Sequence, residues 1–245
     1  MIKLENIVKR FPVYNDTITQ NDQIRGGFFY ALDDVSLSIK KGECVIIAGH
    51  NGCGKSLLMS IIAGLEIPSF GTVETSEKIG LVFQEPDAQI LGETPGEDVA
   101  FGPRNMKLSK NEILQRVDAA LEETGLKEKA HFPARSLSGG EKRRLAAAGV
   151  LAMNARIIIF DEPYSNLDYP GIKQVNRLFQ KLIADKRTVI ILTHELEKCL
   201  ALAEHFIVLC KGKKVFDGTP SQALSLEMEI WGIHKPAGKP EDLLW

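Results

Sequence analysis

The segment Gly49-His50-Asn51-Gly52-Cys53-Gly54-Lys55-Ser56 leaves an apolar run, Cys44 to Ala48, and enters a helix-like stretch, Leu57 to Leu65. It matches G-x-x-x-x-G-K-[ST] in the context that gives the motif a mechanism, a strand before it and a helix after it. The glycines let successive backbone N–H groups turn inward around phosphate oxygens, and the helix N-terminus adds positive potential. Lys55 can reach β- and γ-phosphates, and the Ser56 hydroxyl can ligate Mg²⁺. With glycine at about 7% of residues in general, a chance match in a chain this long is on the order of one per cent. An ordinary glycine-rich turn therefore carries little weight.

Two further runs rich in β-branched residues, Ile157 to Phe160 and Thr188 to Leu192, read with Cys44 to Ala48 as buried parallel strands. Each is followed by a loop and a helix-like stretch, which predicts an α/β core with a mainly parallel sheet. The opening, Ile2 to Phe11 and Ala31 to Ile39, alternates and predicts an antiparallel subdomain. Phe206 to Cys210 and Lys213 to Phe216, joined by Lys211-Gly212, predict a hairpin. From about 86 to 154 the pattern turns to loops and amphipathic helices, an inserted helical subdomain within a single domain of core residues 1–85 and 155–225. A short tail, 226–245, follows. Polar residues 15–27 read as an extended surface loop.

Composition narrows the classes. The chain has 245 residues, a formal charge of −2, and 44% hydrophobic and 25% charged residues. That is an ordinary globular balance, and it gives no electrostatic footprint for nucleic acid. The basic cluster Lys142-Arg143-Arg144 reads as a solvated face. Apolar runs fall well short of the roughly 20 residues a spanning helix needs, and the start lacks an apolar secretory core. Four scattered cysteines, Cys44, Cys53, Cys199 and Cys210, lack metal-ligand spacing and read as buried thiols in a reducing compartment. The chain is expected to remain in the cytoplasm; if it serves a membrane process, it does so from the cytoplasmic side of the membrane, peripheral to it and through a partner.

Two more constellations carry chemistry. Ile157 to Phe160 ends in Asp161 and Glu162, where the first acid suits a Mg²⁺ shell and the second can polarise a water. Leu137-Ser138-Gly139-Gly140-Glu141 opens an amphipathic helix. Ser138 suits an N-cap, and a small-residue turn at a helix start is also an anion site.

Taken in order, these motifs resemble the nucleotide-binding subunits of ABC transporters. Gly49 to Ser56 resembles Walker A, Gln84 the Q-loop glutamine, Leu137 to Glu141 the signature, and Arg156 to Asp161 Walker B with Glu162 as catalytic glutamate. Ser165 to Asp168 resembles the D-loop, and His194 the switch histidine. The resemblance implies a P-loop NTPase (RecA-like) core with an antiparallel N-terminal subdomain and an inserted helical one. It implies ATP and Mg²⁺ as cofactors, with Gly49, His50, Asn51, Gly52, Cys53, Gly54, Lys55, Ser56 and Leu57 around the phosphates. Ser56, Gln84 and Asp161 would serve the metal, and Lys55, Gln84, Glu162 and His194 the chemistry. Ser138, Gly139, Gly140 and Asp168 would meet the nucleotide across a dimer, homo- or heterodimeric with a second ABC ATPase. Phe11 aligns with the adenine-stacking aromatic, with Tyr14 or Tyr30 as substitutes and core packing as the plain alternative.

Phe83 to Ile90 and Glu97 to Asn105 resemble the ATPases of energy-coupling-factor importers, which take up vitamins or Co²⁺/Ni²⁺. This implies a transmembrane coupling subunit and a substrate-binding membrane subunit, docked on a hydrophobic groove between Gln84 and Asn105. An importer ATPase served by an extracytoplasmic binding protein, or a non-transport ABC ATPase, stays open beside it. The sequence departs from the family pattern at Cys53, at Leu57 for threonine, at Glu141 for glutamine and at Tyr164 for threonine. Cys53 is expected to make the loop sensitive to thiol reagents. The C-terminal dimerising region of many relatives is expected to be reduced here.

Overall fold

The computed structural model of the protein describes residues 1–13 and 22–245. In chain order the first elements are β1 (Ile2–Pro12), β2 (Ile24–Arg25), β3 (Phe28–Ile39), β4 (Cys44–Ala48), α1 (Lys55–Ile62), β5 (Phe70–Thr75) and β6 (Ile79–Val82). Then come α2 (Pro95–Asn105), α3 (Lys110–Glu123), α4 (Gly139–Ala152), β7 (Ile157–Asp161), α5 (Tyr169–Ala184) and β8 (Thr188–Leu192). The chain finishes with β9 (His205–Cys210), β10 (Lys213–Gly218) and α6 (Pro220–Leu224), and short 3₁₀ turns join many of these. They divide between two units, Met1–Ser76 with Leu192–Leu243, and Glu77–Ile191 with Leu244–Trp245.

In the first unit the alternating opening forms an antiparallel sheet in the order β2-β3-β1-β5, with Ile2 opposite Ile39 on β3 and Thr75 on β5. Its inward residues Ile2, Leu4, Ile7, Leu32 and Ile39 are buried. The expected loop 15–27 is corrected in part. Ile24–Arg25 pairs with Phe28–Phe29 around Gly26-Gly27, both at positive φ (56° and 77°). Two consecutive left-handed residues match the twist of a tight hairpin, which glycine allows without strain. Gln23 joins this hairpin through Tyr30 N–H, which donates to Gln23 O at 2.8 Å, while residues 14–21, Tyr14 among them, lie outside the described residues. Every residue of β4 is buried, as a strand covered on both faces should be. It runs parallel to β9, which closes the expected hairpin with β10. The tail packs onto the same unit through buried Met228, Ile233 and Leu243, and Ala201 N–H donates to Leu243 O at 3.1 Å.

In the second unit β6 and β7 are parallel, with Ile79 opposite Ile157, and β8 lies beside β7. The apolar runs are again buried throughout, at about 1.5–3 kcal/mol for each large side chain. Phe179 of α5 meets Phe160 edge to face at 4.7 Å between ring centres. Helices α2, α3 and α4 supply the expected helical stretch. Gly80 shows how closely it fits the strands, since a Cβ there would lie 1.9 Å from Val150 Cγ1 on α4.

The basic cluster is not a solvated face. Lys142 is half-buried and ion-paired with Asp87 at 2.6 Å, while Arg143 and Arg144 are buried, at 3% and 8% exposure. Arg144 Nη1 donates to Thr124 O at 2.7 Å, where α3 ends with carbonyls that have no helical partner. Among the described residues no helix is long and apolar enough to cross a membrane.

Candidate functional site

The phosphate loop is strung between buried β4 and α1, and its shape depends on glycine. Gly49, Gly52 and Gly54 all have positive φ, at 156°, 80° and 109°. A Cβ at Gly49 would stand 2.4 Å from Leu209 O and 2.5 Å from Cys53 Sγ, so the position admits no side chain. Lys55 is buried in the first turn of α1 and folds back over the loop, donating to Gly49 O at 2.7 Å and His50 O at 3.4 Å. Its ammonium is thus held by carbonyls of the loop itself. Ser56 is exposed beside it.

The start of α1 has a further peculiarity. The other α-helices among the described residues each begin with a side-chain cap, from Thr94, Ser109, Ser138, Asp168 and Thr219. Helix α1 follows Gly54 with no side-chain cap and no acid in its first turn. A helix N-terminus left to its own N–H groups beside a lysine favours an anion, and phosphate fits its charge and size.

The Cys53 expectation is corrected. The thiol is only 1% exposed, and burial pushes its pKa above the usual thiol range against the opposing pull of Lys55. A buried, less ionised thiol is a poor nucleophile. Iodoacetamide at neutral pH should therefore label Cys53 at least about tenfold more slowly in the native protein than in urea. Equal rates in the two states would contradict the burial.

In the same unit Thr193 N–H donates to Ile47 O at 3.2 Å, which sets the residue after β8 against β4, and His194 next to it is exposed. Phe11 lies opposite Phe29 near the end of β1, 43% exposed, with Lys9 Nζ 5.4 Å from its ring centre. It is a surface aromatic, not a core residue.

The second unit carries the other motif residues. Ser138 caps α4 by a reciprocal box in which Glu141 N–H donates to Ser138 Oγ (3.3 Å) and Ser138 N–H to Glu141 Oε2 (2.9 Å). Glu141 also pairs with Lys129 at 2.5 Å, a charge contact that the family's more frequent glutamine would lack. Burial would raise its carboxyl pKa, but Lys129 and the Ser138 N–H prevail and hold it below the usual range. Asp168 caps α5 by accepting from Gly171 N–H at 2.9 Å. Ser138, Gly139, Gly140 and Asp168 come together as walls of one cavity of about 410 Å³, with Asn166 and Gly171. The signature-like turn and the D-loop-like turn thus share a face.

Asp161 ends β7 and Glu162 follows it, both buried at 6% and 5% exposure. Glu162 has φ of 43°, a left-handed backbone that a residue with a side chain adopts only when its surroundings enforce it. Gln84 is exposed beyond β6, its Nε2 3.5 Å from Ser165 Oγ. Sequence reasoning missed two features here. Arg143 joins several of these turns. Tyr164, the departure from threonine, is buried and donates from its hydroxyl to Asn176 Oδ1 at 2.6 Å, while Asn176 Nδ2 donates to Trp245 O at 2.8 Å.

The docking segment is also corrected in its membership. Val99 and Ala100 are core, at 0% and 4% exposure, whereas Leu91 and Phe101 are exposed at 67% and 49%. Asp98 accepts from Leu91 N–H (2.7 Å) and Gly92 N–H (2.9 Å), which pins the loop before α2. The adjoining cavity, also about 410 Å³, is lined by Gly92, Glu93, Thr94, His131, Pro133 and Arg135, a more polar set than expected.

Residues 32–165 match the family described as ABC transporter. The chain is 41% identical over 212 residues to the energy-coupling factor transporter ATP-binding protein EcfA1 of Clostridium novyi, covering 80% of this chain and 75% of that protein. Among solved structures it is similar to cbiO1 from Clostridium perfringens, described as part of the ABC transporter complex cbiONQ. That match has a TM-score of 0.78 and 33% identity over 94% of this chain and 92% of the other. It is also similar to a dimeric ATP-binding cassette, MJ0796, in a post-hydrolysis state bound to ADP and Pi. There the TM-score is 0.75 with 30% identity over 89% of this chain and 98% of the other. A glycine-dependent phosphate loop, an uncapped helix behind it and these likenesses lead to one conclusion: the chain belongs to the ABC transporter family as an ATP-binding, ATP-hydrolysing subunit.

Proposed function

We propose that this subunit drives uptake across a membrane as the ATPase of an energy-coupling-factor importer, bound to its cytoplasmic face through other subunits. The observation that carries this is the identity with EcfA1 over most of both chains. It would pair with a second ABC ATPase, and with a transmembrane coupling subunit and a substrate-binding membrane subunit. Vitamins or transition-metal ions are the substrate class.

In the catalytic reading, Gly49 to Leu57 wrap the phosphates with backbone N–H groups, and Lys55 leaves its loop carbonyls for the β- and γ-phosphates. Mg²⁺ would be held by Ser56, Gln84 and Asp161, and when bound it neutralises charge on the phosphates. The donor set suits it, being hydroxyl, amide and carboxylate oxygens. Among the described residues no three His, Cys, Asp or Glu gather as a metal cage, and Mg²⁺ commonly rests on one or two protein ligands plus phosphate. Glu162 orients the attacking water and takes its proton, and His194 holds the γ-phosphate. Phe11 stacks on adenine. Ser138, Gly139, Gly140 and Asp168 face the partner protomer's nucleotide.

The exposed Leu91 marks the surface for the membrane partner, where a helix from another chain can lay an apolar side against the loop. Replacing Leu91 by Asp should leave the subunit folded with its basal ATPase intact. Recovery of the membrane subunits by pull-down and substrate uptake should both be lost. Uptake that persists, or a subunit that unfolds, would remove the docking role of Leu91.

A further inference from the structure

Arg143 is buried on α4, five residues beyond the cap Ser138, and its guanidinium reaches three backbone carbonyls in two separate turns. Nη2 donates to Gln84 O at 2.6 Å. Nη1 donates to Pro163 O at 2.7 Å and to Ser165 O at 3.2 Å. A planar guanidinium can serve several carbonyls at once because its donors diverge in a fixed plane, which an ammonium does not reproduce.

Those carbonyls belong to a consequential stretch. Glu162 immediately precedes Pro163 and is held at φ 43°, and Ser165 N–H donates back to Glu162 O at 3.2 Å. The turn is therefore closed on one side by its own backbone and on the other by Arg143. Gln84, reached by the other arm of the same guanidinium, approaches the turn again through Ser165 Oγ. Rotation or sliding of α4, the helix that opens with Ser138 and Gly139, would thus move Gln84 and the turn behind Glu162 together. We infer that Arg143 is a positioning residue for hydrolysis: it fixes the Glu162 backbone and the Gln84 turn to helix α4, so that the water-orienting carboxylate is set by the helix that bears the signature turn. This rests on Glu162 being the carboxylate that orients the attacking water.

The test compares full-length Arg143→Lys, Arg143→Met and Glu162→Gln with wild type. It measures kcat and KM for ATP hydrolysis, affinity for a non-hydrolysable ATP analogue, and Tm. Lysine keeps the cation, but its three donors sit on one nitrogen and cannot span the carbonyls that Nη1 and Nη2 reach separately. Arg143→Lys should fold, bind the analogue within about threefold of wild type, and lose about 10- to 100-fold in kcat with KM little changed, as misplacement of a reacting group by an ångström does. Arg143→Met should lose more; if it fails to fold, the lysine variant decides. A lysine variant with kcat within about threefold of wild type overturns the inference, as does a kcat loss matched by an equal loss of analogue binding. Should Glu162→Gln itself hydrolyse ATP normally, the assignment of Glu162 falls and this inference with it. An inactive Glu162→Gln beside an unimpaired Arg143→Lys removes only the role of Arg143.

Discussion

A Glu162→Gln subunit should bind ATP as tightly as wild type and turn it over about 10²- to 10⁴-fold more slowly, the usual contribution of a positioned general base. The side chain is buried at the end of β7, so its surroundings and not bulk water set what it can accept. Glutamine has the same shape and disturbs neither the left-handed backbone at φ 43° nor the Arg143 contacts next to it. What it cannot do is take a proton from water. Because binding survives while the exit through hydrolysis is closed, ATP-loaded dimers should accumulate and appear by size-exclusion chromatography. Turnover within about threefold of wild type would show that another group is the base.

Activity should also be rescued between two dead proteins. Lys55→Ala removes the ammonium that the loop carbonyls of Gly49 and His50 now hold. Ser138→Arg removes the cap of α4 and pushes a long side chain into the cavity shared by the signature-like and D-loop-like turns. If the signature turn of one protomer completes the nucleotide site of the other, each variant alone forms dimers with no intact site. A mixed dimer keeps one, made from Lys55 of the Ser138→Arg chain and Ser138 of the Lys55→Ala chain. An equal mixture should recover up to about a quarter of wild-type turnover, since half of randomly formed dimers would be mixed with one good site each. Mixed dimers that form and stay inactive would count against action across the interface.

The parts of this fold that sequence makes visible are those governed by periodicity and local backbone chemistry. Fully apolar runs became β4, β7 and β8, the alternating opening became β1 and β3, and Lys211-Gly212 turned the β9–β10 hairpin. The glycines of the phosphate loop could be read because a left-handed backbone selects for them. What stayed hidden depends on partners distant in the chain. Lys142-Arg143-Arg144 looks like any solvated basic run, and nothing nearby tells that carbonyls of Gln84, Pro163 and Ser165 will surround the middle residue. The buried Tyr164 hydroxyl needed Asn176, twelve residues on. Leu91 and Val99 are both apolar, and packing decides which is core: Val99 lies on the buried face of α2, while Leu91 stands in the exposed loop that Asp98 pins.

The uncapped start of α1 has a consequence beyond binding. Every other described α-helix is finished by a residue that ribosomal synthesis supplies, whereas in the proposed function this one would take its last piece, a phosphate, from solution. Bound there, the nucleotide would be a removable building block of the fold as well as fuel. Each cycle of product release would leave the first N–H groups of the helix to solvent, and each new ATP would cover them again. A nucleotide bound there would add to the local stability of the loop by mass action.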